Sequence, residues 1–136
     1  MKKMISYRKG FKNQLSETYT ILTPIVGYDI DTTWIKLESN GRLTLRRGFA
    51  WDGSSGPTID TKTCKRASAE HDAFYRLMRY GELPGSLRKQ VDKFYHQKCL
   101  EDGMWKIKAW WRYRILRKAG KSSTLVKNKK KIYKAP

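Results

Sequence analysis

"RASAEHDAFYRLMRYGELPGSLRKQVDKFYHQKC" (residues 66–99) decides the fold. Apolar and aromatic residues recur at helical spacing on both sides of a short break. Ala67, His71, Phe74, Tyr75 and Met78 fall on one side of a first helix, and Leu87, Val91, Phe94, Tyr95 and Cys99 on one side of a second. Gly81 ends the first helix, Pro84 follows it, and Ser86 is the expected N-cap of the second. The connection around "ELPG" is so short that the two helices are expected to pack antiparallel. A register that sets His71 opposite Asp92 also sets Cys64 opposite Cys99, because both pairs of positions sum to 163.

Working outward toward the N-terminus, "TYTILTPIVGYDI" and "TTWIKLE" are rich in β-branched and aromatic residues, and "SNG" (39–41) marks a turn before "RLTLRRGFAW". In "TTWIKLE", Ile35 and Leu37 alternate with Trp34, Lys36 and Glu38, the pattern of a half-buried strand. Residues 51–62 hold Gly, Pro, Ser and Asp and read as a loop. Working toward the C-terminus, "MWKIKAWWRYRILRKAG" (104–120) reads as a third helix. Ile107, Trp110, Trp111 and Ile115 stand at core spacing and are expected to pack on the sheet. Lys106, Lys108, Arg112, Arg114, Arg117 and Lys118 make the rest of that helix densely basic. The fold class is α+β: a small N-terminal antiparallel sheet, then an antiparallel helix hairpin and a third basic amphipathic helix. One domain covers 1–136, divided into a basic arm (1–15), a β-rich part (18–50), a helical part (63–120) and a basic tail (121–136).

The balance of 30 Lys+Arg against 12 Asp+Glu gives a net charge of +18. Such a surface attracts polyanions: nucleic acid, an anionic phospholipid membrane or an acidic partner protein. Basic helices edged with Trp favour membrane interfaces, and a solvated basic face contacting nucleic acid or a virion partner competes with that reading. The basic start "MKKMISYRKGFKNQ" leads into no apolar segment, so no signal peptide is expected. No run approaches the roughly 18 apolar residues of a transmembrane helix. Synthesis in a cytoplasm is the expectation. Two Cys are too few for a disulfide scaffold and lack zinc-site spacing.

His71 and Asp72 are adjacent on a helix, so their side chains diverge by about 100°. A carboxylate from Asp92 behind His71 would fix the imidazole tautomer and stabilise the imidazolium, as a general base requires. Asp72 faces the preceding loop, where its carboxylate, that of Asp52 and loop carbonyls make a candidate hard-cation site. The competing reading of His71 and Asp72 is a buried polar network between loop and helix. For the loop it is a structural turn in which Asp52 caps backbone amides. His96 shows no partner and is expected at the surface or in helix packing.

"GFAWDGSSGPT", "RASAEHDAFYRLMR", "LRKQVDKFY" and "EDGM" before an aromatic helix resemble a bacteriophage protein family of unknown function across most of the chain. That resemblance implies a phage or prophage origin and brings no known activity. "HDAFY" followed by Asp92 on the partner helix is more distantly similar to compact bacterial and fungal phospholipases A2. The second resemblance implies that His71 deprotonates a water for attack on a lipid ester, that Asp92 orients His71, and that Tyr75 buttresses Asp92. It further implies Ca2+ held by Asp72 and the carbonyls of Trp51, Gly53 and Ser55. The sequence departs from that family in lacking its cysteine framework, in carrying "SAE" before the histidine, and in the loop "WDGSSGP". Two functions follow as expectations. One is a calcium-dependent lipid ester hydrolase at anionic membranes. The other is a non-enzymatic virion or accessory protein binding nucleic acid or acidic virion proteins through its basic surface.

Overall fold

A computed structural model describes residues 13–51, 62–119 and 121–125, with the backbone alone at 62–64, 119, 122 and 123. The elements are β1 (Asn13–Gln14), β2 (Tyr19–Leu22), β3 (Ile30–Asp31), β4 (Ile35–Leu37), β5 (Arg42–Leu45), β6 (Ala50–Trp51), α1 (Lys62–Arg79), α2 (Arg88–Glu101) and α3 (Lys106–Ala119). Short 3-10 turns cover Gly85–Leu87 and Lys121–Thr124. The architecture is α+β, with antiparallel sheets first and three helices after them. Asn13 and Gln14, from the expected arm, pair with Trp51 and Ala50. The rest of that arm, the loop 52–61 and the tail beyond 125 lie outside the described residues.

The main sheet has the order β2-β5-β4-β3. Its register sets Tyr19 and Ile35 against Leu45, and Ile21 and Leu37 against Leu43. One face therefore collects Ile30, Ile35, Leu37, Leu43 and Leu45, all buried, while Thr20, Leu22 and Asp31 alternate outward. The "SNG" turn closes β4 onto β5. Gly41 takes φ +92°, and the Gly41 N–H donates to the Glu38 carbonyl at 2.9 Å. The strand before β3 comes close here. Thr23 donates to the Gly41 carbonyl through both its backbone N–H and its hydroxyl.

The α1 helix lies over the buried face of the sheet and places Ala69, Ala73, Phe74, Leu77 and Met78 in the core with Phe49 and Trp51. Alanines at the contact let the helix approach closely. At its end Gly81 adopts φ +78°, and the N–H groups of Gly81 and Glu82 close on the carbonyls of Met78 and Leu77. These paired bonds stop the helix and turn the chain back. The expected Ser86 cap is not formed. The chain enters α2 through the 3-10 turn, the N-cap is Leu87 in helical conformation, and no side chain caps the helix. A backbone already helical at Leu87 offers no extended residue from which Ser86 could reach the first amides.

The expected placement of α3 on the sheet is also corrected. The helix packs chiefly on α2. Its buried residues are Ala109, Arg112 and Leu116, and Ala109 and Leu116 join a second core with Ala67, Tyr95, Cys99 and Met104. Ile107, Trp110 and Trp111 point away from that core and are exposed, while Ile115 is half-buried. The small Ala109 seats α3 on α2, so the helix turns its bulkier aromatic side outward.

A Cβ at Gly41 would stand 2.1 Å from the Thr23 carbonyl oxygen, whereas one at Gly27 (φ +87°) meets nothing within 4 Å. Gly41→Ala is expected to destabilise the fold by well over the ~1–2 kcal/mol that a left-handed alanine alone costs. Gly27→Ala should cost no more than that. Urea unfolding of the two variants measures the difference.

Candidate active site

The Asp92 carboxylate is fully buried and is the meeting point of all three helices. His71 Nε2 lies 2.7 Å from Asp92 Oδ1, the pairing expected from the hairpin register. The Tyr75 hydroxyl donates to the same oxygen at 2.5 Å. Arg117 Nη1 donates to Oδ2 at 2.7 Å from α3, and Arg88 Nε stands 3.8 Å from Oδ2, one helical turn before Asp92. Arg88 also donates to the Tyr75 hydroxyl and to the carbonyls of Leu116 and Arg117, where a cation complements the end of α3.

Burial works to raise the Asp92 carboxyl, but hydrogen bonds from His71, Tyr75 and Arg117 outweigh it and hold the group below its usual range. Asp92 is therefore an anion. Burial, reinforced by the bond to that anion, pushes the Tyr75 hydroxyl well up, so Tyr75 keeps its proton and remains a donor. An ionised Asp92 can only accept, which places the proton of a neutral His71 on Nε2 and a lone pair on Nδ1. His71 Nδ1 has no hydrogen-bond partner among the described residues. The imidazole is 5% exposed, with the Tyr75 and Tyr95 rings at 4.0 and 5.1 Å. A histidine anchored at one nitrogen by a buried carboxylate, and unengaged at the other, can take a proton and hold the resulting charge.

The expected metal ligands fare differently. Asp52, Gly53 and Ser55 lie outside the described residues. Trp51 is buried, stacks on Phe49 and donates from its indole to the Ser68 hydroxyl at 2.9 Å, so its side chain anchors the start of the loop. Asp72 Oδ2 sits 2.8 Å from Arg76 Nε. Arg76 is buried, donates to the Ala50 carbonyl and lies 4.6 Å over the Phe49 ring. The Arg76 guanidinium thus pairs with one oxygen of Asp72, and no cluster of three metal-binding side chains occurs among the described residues.

Beside His71, Glu70 is 1% exposed and accepts from the Tyr19 hydroxyl at 2.6 Å, tying α1 to β2. Its Oε1 has no hydrogen-bond partner among the described residues. Burial raises this carboxyl to about 7, against which the Tyr19 bond and Arg66 only partly act. Arg66 is held in turn by both Asp102 oxygens, at 3.1 and 2.5 Å. Cys99 is buried and free, while the Cys64 side chain lies outside the described residues. His96 is half-buried and stacks on Tyr113 at 5.2 Å, and burial lowers its pKa.

Sequence reasoning missed Arg88, Arg117, Arg76 and the Glu70–Tyr19 pair. Two of these carried a local signal, since Arg88–Asp92 and Asp72–Arg76 are i,i+4 pairs of opposite charge. Arg117 and Tyr19 come from elements far along the chain and carried none. Comparison with protein-family models, with curated proteins and with solved structures finds no match to this chain.

Asp92→Ala would leave the two arginines without their buried counter-charge. It is expected to lower stability by about 3 kcal/mol, read from chemical unfolding. Glu70 should behave in the opposite sense at high pH. Its folded pKa of about 7 lies above the ordinary 4.5, so its contribution to stability is whole below 4.5 and is lost as pH rises through 7. Glu70→Gln is therefore expected to stabilise the protein by on the order of 2 kcal/mol at pH 8 and hardly at all near pH 4. Melting curves of the two proteins at both pH values check this.

Proposed function

We propose that the protein is a phage-encoded acyl-ester hydrolase in which His71 is the general base and Asp92 its positioning partner. The observation that carries this reading is the bond from His71 Nε2 to the buried Asp92 at 2.7 Å, with Nδ1 unengaged among the described residues. Nδ1 takes a proton from a water, the water oxygen attacks the ester carbonyl, and the proton passes on to the departing alcohol. Asp92 stabilises the imidazolium while it exists. Tyr75 holds Asp92 in place, and the low exposure of the ring keeps bulk water from the charged pair. The resemblance to phospholipases A2 and the net charge of +18 support an anionic phospholipid as substrate. No step is assigned to calcium.

A second reading, a non-enzymatic protein that binds through its basic surface, is favoured by the exposed aromatic side of α3. Titration of fatty acid released from anionic phospholipid vesicles separates the two. The hydrolase reading expects release by the native protein and a drop of about a thousandfold or more in His71→Asn, assayed at a temperature where both proteins are folded. It fails if the native protein releases nothing, in calcium or in chelator, or if His71→Asn is as active as the native protein.

A further inference from the structure

The side of α3 that faces away from α2 is unusual for a solvated helix. Trp105 is 78% exposed, Ile107 63%, Trp110 47% and Trp111 57%, and Leu100 at the end of α2 is exposed beside them. At about 100° per residue, Ile107, Trp110, Trp111, Arg114 and Lys118 share one stripe, opposite the buried Ala109, Arg112 and Leu116. The stripe is thus aromatic and aliphatic over its first two turns and cationic over its last. Two adjoining grooves, of about 620 and 590 Å³, open on this side. Both are walled by Leu100, Lys106 and Ile107, one together with His96, Trp110 and Trp111 and the other with Met104 and Trp105. A contiguous apolar patch on an otherwise highly charged protein marks a surface that is covered in use.

We propose that this face of α3 is an interfacial docking surface for an anionic lipid bilayer. Trp105, Ile107, Trp110, Trp111 and Leu100 enter the boundary between headgroups and acyl chains, and the surrounding cations meet the lipid phosphates.

Charge complementarity argues for this partner. Residues 103–136 contain 12 of the 30 Lys+Arg and none of the 12 Asp+Glu. The last two acids before the face are engaged, Asp102 by Arg66 and Glu101 by Lys98 at 3.0 Å. An acidic lipid surface therefore meets no uncompensated carboxylate from this part of the chain. Lys106 and Lys108 flank Ile107, and their stems can lie along the apolar patch while the ammonium groups reach phosphate depth. Trp supplies the amphipathic ring suited to that depth.

Single-stranded nucleic acid would also seek cations and aromatic rings, but it needs open ring faces for its bases. Trp110 and Trp111 meet edge to face, with rings 5.2 Å apart and planes at 76°, and the Arg114 guanidinium lies 5.5 Å over Trp110, so these two rings form no parallel stacking platform. The aliphatic Ile107 and Leu100 offer nothing to a base stack and much to an acyl chain. No helix among the described residues is long and apolar enough to cross a membrane, so the contact is with one leaflet's surface.

The test is co-sedimentation of the full chain with phosphatidylcholine vesicles, alone or mixed with phosphatidylglycerol. Strong partitioning onto the phosphatidylglycerol vesicles is expected. Ile107→Glu combined with Trp111→Ser should weaken it by roughly tenfold or more. Both side chains are exposed, so the melting temperature should be retained, and Ile107→Ser with Trp111→Ser removes the apolar groups without changing charge. Undiminished binding by both doubly substituted proteins overturns the proposal, since adsorption would then rest on charge alone. Binding of single-stranded DNA that the same substitutions abolish, without binding to vesicles, overturns it in favour of nucleic acid. A self-association that they abolish, again without vesicle binding, overturns it in favour of a second copy. The surface is independent of His71. His71→Asn should bind vesicles as the native protein does, so absent hydrolysis and absent docking are told apart.

Discussion

A carboxylate with no exposed surface, set among three helices, has to be neutralised and hydrogen-bonded from within the protein, and Asp92 achieves this by recruiting all of them. The α1 helix supplies His71 and Tyr75, α2 supplies Arg88, and α3 supplies Arg117. Each helix loses a partner for a buried charge if it shifts, so the anion sets the register of the hairpin and the docking of α3 together. Apolar packing between α1 and α2 includes Phe74, Leu77, Val91 and Phe94 of the main core, while Ala67, Tyr95, Cys99, Met104, Ala109 and Leu116 form the smaller core that α3 joins. Alanines let the helices approach but specify little about sliding. The ion cluster adds directional contacts to this packing.

The same cluster limits what the histidine can do. Arg88 and Arg117 stand with His71 and Tyr75 around the Asp92 carboxylate, which His71 does most to hold below its usual range. Through Asp92 the cluster fixes the tautomer of a neutral imidazole, as a general base requires. It also spreads the carboxylate's stabilising power over three cations once the imidazole is charged. Arg76 plays a parallel part on the other side of α1. It compensates Asp72, lies over Phe49 and reaches the Ala50 carbonyl, so the helix is pinned to the strand leading into the loop. Adjacent residues on one helix thus serve opposite neighbours: His71 binds α1 to α2, and Asp72 works through Arg76 to bind α1 to the sheet.

The parts of this structure that were legible in the sequence are those governed by local periodicity. Alternation at Ile35 and Leu37, the turn at Gly41, the helix stop at Gly81 and the short connection after it all act within a few residues, and the symmetry of the hairpin carried His71 to Asp92. Ser86 was misread because its side chain suits a cap while the backbone continues from a 3-10 turn into the helix. The error on α3 has a deeper cause. Two faces of that helix are apolar enough to be cores, and hydrophobicity alone favours the one with Trp and Ile. Ala109 and Leu116 instead pack with Tyr95 and Cys99 of α2, and in this seating Arg117 reaches Asp92. Neither contact is legible in the sequence of α3 by itself.

That choice has a consequence for the outer surface. Seating α3 by Arg117 and Ala109 turns Ile107, Trp110 and Trp111 to solvent, at a cost in exposed apolar area that a purely structural helix would avoid by placing polar residues there. Polar residues were available: Lys106, Lys108 and Arg114 interleave with the aromatic ones on the same two turns. The pattern is therefore neither a core stripe that failed to find a core nor a plain solvated face. Two physical demands act on one helix, an inner side fitted to a buried anion and an outer side suited to a boundary that is apolar beneath and negative above. The helix that carries the outer face is thus joined to the His71–Asp92 pair by the Arg117–Asp92 bond and by the core that Ala109 and Leu116 share with α1 and α2.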